Sequence, residues 1–250
     1  MEEEAKAVQE VAKATGKGID AAREFGGFIS KYISGPLEQG MGIFKDRLLY
    51  MRWENQVRLM QRAQEFLKLR GLSTPTRPVP LNLAIPIMQG ASLEENDDLQ
   101  DRWAALLVNA ADANFHGEVR RSYAAILEQL TPLDAHILDI LYSIPFEESQ
   151  HAGIVTRKLP KSARIAKAPP VPTTHFEPGG LPESTRITEK EEQTLPLPSE
   201  DVVISLSNLV RLGCLRPGMT WGGGEIFERV NPTVAGKAFV EACRPIKLVV

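Results

Sequence analysis

The stretch SLEENDDLQDRWAALLVNAA, Ser92 to Ala111, decides the fold of this chain, because it combines a helix-start signal with an apolar helical face. Ser92 and Glu95 have the spacing of a capping box, in which two side chains satisfy amide groups that the first turn leaves unpaired. An apolar stripe then recurs at helical spacing: Leu99, Trp103, Leu106 and Ala110. The polar residues between them are predicted to lie mostly on the other face: Gln100, Asp101 and Arg102. The stretch therefore predicts a helix that begins at Ser92 and buries its apolar face.

Length and composition are those of an ordinary globular protein of two domains. The chain has 250 residues, of which 43% are hydrophobic and 24% are charged, and its net charge is -3. A chain of this length can bury a sizeable core, and this charge offers no general attraction for nucleic acid. It begins MEEEAKAVQE, without the pattern of a secretion signal, and has no apolar run of about eighteen residues that could span a bilayer. We therefore expect a cytoplasmic protein in which Cys214 and Cys243 are reduced and buried.

Residues 1–48 are predicted to form an amphipathic helical segment that is punctuated by glycine. Each interior glycine weakens a helix by roughly 1 kcal/mol relative to alanine, so the segment needs a surface to pack on. Its apolar residues are candidates for contact with a partner protein or a membrane surface: Phe25, Phe28, Ile29, Tyr32, Ile33 and Phe44. We favour packing against the chain's own helices, although small residues allow close approach in either setting.

Residues 49–130 are predicted to form a central helical domain. Its first helix carries a regular apolar stripe that ends near Gly71, and a rigid proline-rich connector follows from Ser73 to Pro80. A short helix over residues 82–88, limited by Pro86, is expected to precede the Ser92 helix. The predicted core consists of these apolar residues: Trp53, Leu99, Trp103, Leu106, Leu107 and Leu133.

Residues 131–250 show the element order of a winged-helix domain. Thr131, Pro132 and Asp134 supply a cap, a first-turn proline and a first-turn acid for one helix. Ser199 is predicted to cap a second helix, which a hairpin and a last helix follow. Between the two helices, residues 146–198 are rich in proline and lack periodicity, so we expect a disordered or flexible insertion.

The predicted fold is therefore mainly α. A helical N-terminal and central domain is followed by a winged-helix-like C-terminal domain with a small β-hairpin and a long flexible insertion.

The sequence offers few groups for chemistry. Five acids between Glu94 and Asp101 fall at helical spacing, which leaves a metal-dependent enzyme as one alternative. Acids in the first turns of a helix also stabilise its positive end, and we favour that interpretation. The histidines and cysteines lack zinc-ligand spacing, and no nucleophile or phosphate-binding motif occurs. We therefore assign no catalytic, metal-binding or cofactor-binding residue and favour a protein that is not an enzyme.

A winged helix raises the question of nucleic-acid binding. The candidate contacts are Arg211 on the recognition helix and Arg229 on the wing. Because Glu200 and Asp201 begin the same helix, phosphate would be repelled as readily as attracted. We favour a protein-contact module and keep a nucleic-acid-binding regulator as an alternative.

Several motifs, taken in order, resemble the Abi-alpha family. They are Gly35-Pro36-Leu37-Glu38, the helix from Asp46 to Asn55, Arg77-Pro78-Val79-Pro80-Leu81, Ala91–Glu94 with Leu99–Ala104 and Leu107–Ala110, and Leu130–Asp134. The resemblance covers about residues 15–145, and the C-terminal part is similar to the variable part of family members.

Abi-alpha is a bacterial family, formerly a domain of unknown function, that is associated with abortive infection against bacteriophage. In abortive infection, an infected cell stops growing or dies before the phage matures. The resemblance implies an antiphage defence protein, and the lack of a catalytic motif favours a non-enzymatic route. We expect the protein to act through oligomerisation and through contact with a protein or a membrane. Its partner would be a second copy of the chain, another defence protein or the surface of the inner membrane.

Overall fold

The computed structural model describes residues 27, 28, 31, 32, 53–166, 186–219 and 223–244. Gly27, Phe28, Lys31 and Tyr32 are helical. The other helices in these ranges are α1 (Trp53–Leu69), α2 (Leu81–Leu93), α3 (Asp97–Ala111), α4 (Arg121–Leu127), α5 (Pro132–Leu141), α6 (Phe146–Ala152), α7 (Glu189–Thr194), α8 (Glu200–Arg211) and α9 (Val234–Cys243). The strands are β1 (Ile154–Val155), β2 (Arg164–Ala166), β3 (Arg186–Ile187), β4 (Leu215–Met219) and β5 (Glu225–Pro232). The described chain is mainly helical, as the sequence predicts, with one small sheet.

Two compact units make up the chain. The first comprises Met1–Glu128 with Ala242–Val250, and the second comprises Gln129–Glu241. The helices α1 to α4 therefore belong to the first unit, and the sheet belongs to the second.

α3 lies at the centre of the first unit. Its predicted apolar stripe, Leu99, Trp103, Leu106 and Ala110, is buried, as is Leu107 of the predicted core. Gln100 and Arg102, predicted to lie mostly on the other face, are buried as well. The amide group of Gln100 donates to the carbonyls of Ala91 at 2.5 Å and Glu94 at 2.8 Å. The prediction of one buried face is therefore wrong, and for Gln100 the reason is that hydrogen bonds to the preceding segment compensate the burial of its amide.

The helix begins later than the sequence predicts. Ser92 belongs to the last turn of α2, where its hydroxyl donates to the carbonyl of Gln89 at 2.7 Å. α3 is instead capped by Asn96, whose side chain accepts from the amide of Leu99 at 3.1 Å. The capping box at Ser92 is wrong because α2 continues past Pro86 and includes Ser92.

In the second unit, α5 begins with the predicted cap. Thr131 Oγ1 accepts from the amide of Asp134 at 3.1 Å, and Asp134 Oδ2 accepts from the amide of Thr131 at 2.8 Å. Pro132 is the first helical residue, and Leu133 is half-buried. Asp134 also accepts hydrogen bonds from two side chains of α8: the Ser205 hydroxyl and the Asn208 amide. The cap therefore also joins α5 to α8.

The sheet has the strand order β3-β2-β1-β5-β4. Four neighbouring strands, β2, β1, β5 and β4, pair antiparallel, and β3 adds to β2 in parallel. β4 and β5 form the predicted hairpin, from Leu215 opposite Pro232 to Met219 opposite Glu225. Residues 220–222, between β4 and β5 in the sequence, lie outside the described residues.

Folded elements occur where a flexible insertion, residues 146–198, was predicted. α6, β1 and β2 lie in its first part, and β3 and α7 lie in its last part. Ile154, Ile165 and Ile187 of its strands are buried. The prediction is wrong for these residues because strands of two or three residues are too short to show a period in the sequence. Residues 167–185 lie outside the described residues.

Candidate functional site

Phe28 and Tyr32 are the described members of the predicted N-terminal contact set. Their side chains are 3% and 1% exposed, and their ring centroids are 4.5 Å apart. The carbonyl of Tyr32 accepts a hydrogen bond from the amide of Val79, in the proline-rich connector, at 2.6 Å. These two residues therefore pack inside the protein, which is the interpretation that the sequence analysis favours over a free contact surface. The other members lie outside the described residues: Phe25, Ile29, Ile33 and Phe44. Trp53 begins α1, but its side chain also lies outside the description.

A cavity of about 430 Å³ lies beside Phe28 and Tyr32 in the first unit. The end of α1 and the turn after it form the rest of its wall. The apolar lining consists of Phe28, Tyr32, Leu67, Leu72 and Pro75. The polar lining consists of Lys31, Gln64, Lys68 and Ser73. Its volume falls in the range of small-molecule sites, which is about 300 to 1,000 Å³.

The charged residues that line this cavity are basic, whereas the Tyr32 hydroxyl is covered and does not open onto it. Lys31 and Lys68 line the cavity, and none of its lining residues is an Asp or Glu. The Tyr32 hydroxyl is buried and has no hydrogen-bond partner among the described residues. Burial raises the pKa of Tyr32 above its ordinary value, so the phenol stays neutral and keeps its proton. The cavity thus offers both an apolar wall and donors that suit a negatively charged group.

Three of the five acids between Glu94 and Asp101 serve in ion pairs or in a turn. Asp97 contacts both Arg58 and Arg62 of α1, and hydrogen bonds from these two guanidinium groups lower the pKa of Asp97. Arg62 Nε lies 2.6 Å from Asp101 Oδ1. Glu94 Oε1 accepts from the amide of Asn96 at 2.8 Å. Within the described ranges, no three His, Cys, Asp or Glu residues are grouped as metal ligands.

Sequence reasoning missed the arginines that pair with these acids. Arg58 and Arg62 are four residues apart, as are Asp97 and Asp101. Residues four apart lie on one helix face, so complementary pairs at this spacing could have indicated that α1 and α3 lie side by side.

Arg211 and Arg229, the candidate nucleic-acid contacts, both make side-chain contacts within the second unit. Arg211 donates to Gln129 Oε1 at 2.9 Å and to Asn208 Oδ1 at 2.6 Å. Arg229 forms a two-point ion pair with Glu192 of α7, in which Nε and Oε1 are 2.9 Å apart. A phosphate would have to compete with a carboxylate for Arg229, because both prefer the same bidentate geometry.

The exposed face of α8 is acidic and apolar in its first half. Glu200 and Asp201 are exposed at its start, and Ile204 is 61% exposed one turn later. Leu197, in the turn that leads into α8, is exposed to a similar extent. These side chains favour contact with another protein over contact with a phosphate backbone.

Cys214 and Tyr142 are buried titratable groups of the second unit. Cys214 and Cys243, which belongs to the first unit, are both buried free thiols, as the sequence predicts. Burial raises the pKa of Cys214 to about 12 and that of Tyr142 to about 12. The Tyr142 hydroxyl donates to the carbonyl of Cys214 at 2.5 Å and accepts from the amide of Thr233 at 3.1 Å. It therefore links the start of the hairpin to the start of α9.

In the part of the chain that the structure describes, no helix combines the length and the apolar composition that a membrane span requires.

A family match covers most of the chain. The profile of the family described as abortive infection alpha matches residues 54–243. The match begins in α1 and ends in α9. It therefore extends past about residue 145, where the resemblance ends, but does not include residues 15–53. No curated protein and no solved structure is significantly similar to the chain. Because the family profile matches well over half of the sequence, the chain belongs to the abortive infection alpha family.

Proposed function

We propose that this protein defends bacteria against phage by abortive infection and that it acts through contacts rather than catalysis. Membership in the abortive infection alpha family supports the defence role. The burial of Phe28 and Tyr32 is the observation that carries the mechanism. Both residues belong to the glycine-punctuated segment. We take the conformation in which they are buried as the inactive state, from which a trigger releases the segment.

In the active state, the N-terminal segment exposes its apolar residues to a partner. Phe28 and Tyr32 are large aromatic side chains, and their exposure would favour association with another surface. We propose a second copy of this chain or another defence protein as that partner, with the surface of the inner membrane as an alternative. The interior glycines of the segment favour such a change because they weaken its helix.

A mechanism based on protein or membrane contact agrees with the ion pairs of Asp97 and Asp101. Asp97 and Asp101 are held by Arg58 and Arg62, which leaves these two carboxylates in structural ion pairs. A metal-dependent enzyme that uses the acids from Glu94 to Asp101 is therefore the less favoured alternative.

We also propose that the second unit is a winged-helix-like module for protein contact. The order α5, β1, α7, α8, β4 and β5, with α6 inserted before β1 and with β2 and β3 inserted before α7, supports this proposal. The strands β1, β5 and β4 are also neighbours in the sheet, as in a winged helix. In such a module α8 is the recognition helix and the β4–β5 hairpin is the wing. The exposed Glu200, Asp201 and Ile204 of α8 favour a protein over nucleic acid.

The alternative, a nucleic-acid-binding regulator, makes a different prediction. It requires salt-sensitive binding of duplex DNA that Arg211→Glu abolishes. Absence of any electrophoretic shift by the full chain at low salt would exclude duplex binding, and the protein-contact proposal expects that result.

Deletion of Met1–Gly35 tests the effector role of the N-terminal segment. We expect the deletion to abolish protection against phage while the remaining chain keeps its helical circular dichroism and unfolds cooperatively. Phe28→Asp should release the segment without removing it and should slow growth even without phage, because a charge is costly at a buried position. Leu93→Asp is the matched control, since Leu93 is 69% exposed. Full protection by the deletion variant would contradict the effector role.

A further inference from the structure

We propose that the proline-rich connector, Ser73 to Pro80, is the clasp that keeps Phe28 and Tyr32 buried. Arg77 ties the connector to the end of α3, and Val79 holds the helical turn that carries the two aromatic residues. This inference rests on the proposed release of the N-terminal segment and names the element of the chain that controls it. Displacement of the connector from α3 should therefore release Phe28 and Tyr32 without unfolding α3.

Val79 holds Tyr32 through the backbone. The Val79 amide donates to the carbonyl of Tyr32 at 2.6 Å, although the two residues lie far apart in the chain. Pro78 and Pro80 flank Val79 and have no amide hydrogen, so Val79 supplies the single backbone donor of this stretch. The side chain of Val79 is buried, as are both aromatic rings. This hydrogen bond stabilises the buried arrangement only while Val79 stays in its place.

The end of α3 fixes the connector. The amides of Thr76 and Arg77 both donate to the carbonyl of Ala111 at 3.0 Å. The Arg77 guanidinium donates from Nε to the carbonyl of Ala110 at 2.8 Å and from Nη2 to that of Asn109 at 3.0 Å. The last carbonyls of a helix have no partner within it, and the negative end of the helix favours a cation. Arg77 therefore anchors the connector to a complementary end of α3.

The prolines transmit this anchoring to Val79. Pro75, Pro78 and Pro80 fix their own φ angles, and each restricts the residue before it to extended backbone. Arg77 and Val79 both precede a proline, and a proline separates them. The position of Arg77 therefore sets that of the Val79 amide. Arg77 is a positioning residue for a hydrogen bond that it does not make itself.

Hydrogen–deuterium exchange of the full chain, measured at two places, tests the clasp. Exchange at residues 27–32 reports release of the aromatic pair, whereas exchange at residues 103–107, in the middle of α3, reports unfolding of the core. Arg77→Met keeps an unbranched side chain but removes the guanidinium and its two hydrogen bonds. We expect it to speed exchange at residues 27–32 at least about tenfold, with a smaller change at residues 103–107.

Arg62→Met is the matched control. Arg62 is also a half-buried arginine that pairs with α3, but it contacts Asp97 and Asp101 near the start of that helix. Among the described residues, its hydrogen bonds go to these two acids and not to the connector. We expect it to change exchange at residues 27–32 less than about twofold.

A second test starts from the aromatic pair. Phe28→Asp should speed exchange of the Val79 amide at least about tenfold, because a charge is costly at the buried position and coupling between two elements is reciprocal. Leu93→Asp is again the control, since Leu93 is exposed, and should leave this exchange within about twofold of the parent. The flanking prolines carry no amide hydrogen, so the signal of Val79 is read without adjacent amides.

Faster exchange at residues 27–32 in Arg77→Met and at Val79 in Phe28→Asp supports the clasp. The proposal is overturned if Arg77→Met exchanges like the parent at residues 27–32, or if Arg62→Met matches it there. It is also overturned if residues 103–107 change by the same factor, or if Val79 stays protected in Phe28→Asp. Growth of bacteria without phage tests the proposed function separately. Normal growth with Arg77→Met, despite fast exchange at residues 27–32, would contradict the effector role and leave the clasp intact.

Discussion

Trp103 of α3 packs so closely on Gly90 of α2 that no side chain fits at the glycine. A Cβ atom at Gly90 would lie 2.5 Å from Cζ2 of Trp103, well inside van der Waals contact. The indole is 1% exposed, so it has no open space into which it could withdraw. The glycine therefore sets how closely α2 and α3 approach each other.

Gly90→Ala should destabilise the protein by about 1 to 3 kcal/mol, because it overpacks a filled core. Gly27→Ala provides the control: Gly27 is also helical, but a Cβ there meets nothing within 4 Å. We expect that substitution to leave stability unchanged or to raise it by up to about 1 kcal/mol. Urea denaturation of the full chain measures both changes, and equal losses in the two variants would contradict the packing argument.

Trp103→Ala should cost about 3 to 5 kcal/mol, as expected for a large buried aromatic side chain. In the background of Trp103→Ala, Gly90→Ala should lose most of its cost, since the clashing ring is gone. A double-mutant cycle by urea denaturation measures this coupling. Additive effects of the two substitutions would show that Gly90 and Trp103 do not act as one packing unit.

Asp134→Ala should destabilise the protein by at least about 2 kcal/mol, because it removes the α5 cap and leaves buried donors of α8 without their acceptor. Asp134 accepts from the amide of Thr131 and from the side chains of Ser205 and Asn208. Asp201→Ala, at an exposed first-turn acid of α8, should cost no more than about 1 kcal/mol. Similar denaturation midpoints for the two variants would argue against a special role of Asp134.

Local signals made the start of α5 predictable, whereas tertiary contacts displaced the start of α3. Thr131 and Asp134 lie within one turn of each other, so the sequence alone contains the whole capping box. Ser92 has the same kind of signal, but α2 continues through Pro86 and includes Ser92 in its last turn. Gln100 is buried through hydrogen bonds to carbonyls of a preceding segment, which helical periodicity does not reveal.

The candidate site could be predicted only in part. The apolar character of Phe28 and Tyr32 is plain in the sequence, but the surface that covers them is not. Lys31 and Lys68 lie far apart in the chain, and only the fold brings them to one cavity. Periodicity predicts faces of single helices, whereas a cavity depends on how separate segments pack.

Asp112 should make stability depend on pH in the acidic range. Burial alone would raise the pKa of Asp112, but hydrogen bonds from the Asn114 amide and the Arg70 guanidinium, with the charge of Arg70, lower it below the ordinary value of 3.8. Arg70 Nη1 lies 2.6 Å from Asp112 Oδ2. The pKa of Asp112 is therefore lower in the folded chain than in the unfolded chain. The stabilisation by the Asp112 carboxylate is present above the unfolded pKa and disappears as the pH falls through the folded pKa.

Thermal unfolding between about pH 5 and about pH 2 measures this effect. Asp112→Asn should lower the melting temperature at about pH 5. As the pH falls towards about 2, the melting temperature of the variant should decrease less than that of the parent, because the variant lacks the titrating carboxylate. Parallel curves for the parent and the variant would contradict the assignment.

Asp98→Ala and Asp101→Ala should both retain protection against phage. Asp101 serves in an ion pair with Arg62, so its loss should lower stability by no more than about 1 kcal/mol. Plaque counts on bacteria that express each variant measure protection. Loss of protection by either variant at unchanged stability and expression would instead favour the metal-dependent enzyme.

Growth of bacteria that express this protein, challenged with a phage panel at low and high ratios of phage to cells, tests the defence function most directly. Cells with the empty vector are the control. Abortive infection predicts that the culture survives at the low ratio and collapses early at the high ratio, because infected cells stop growing before they release phage. Growth identical to the empty-vector control at both ratios across the panel would contradict the account.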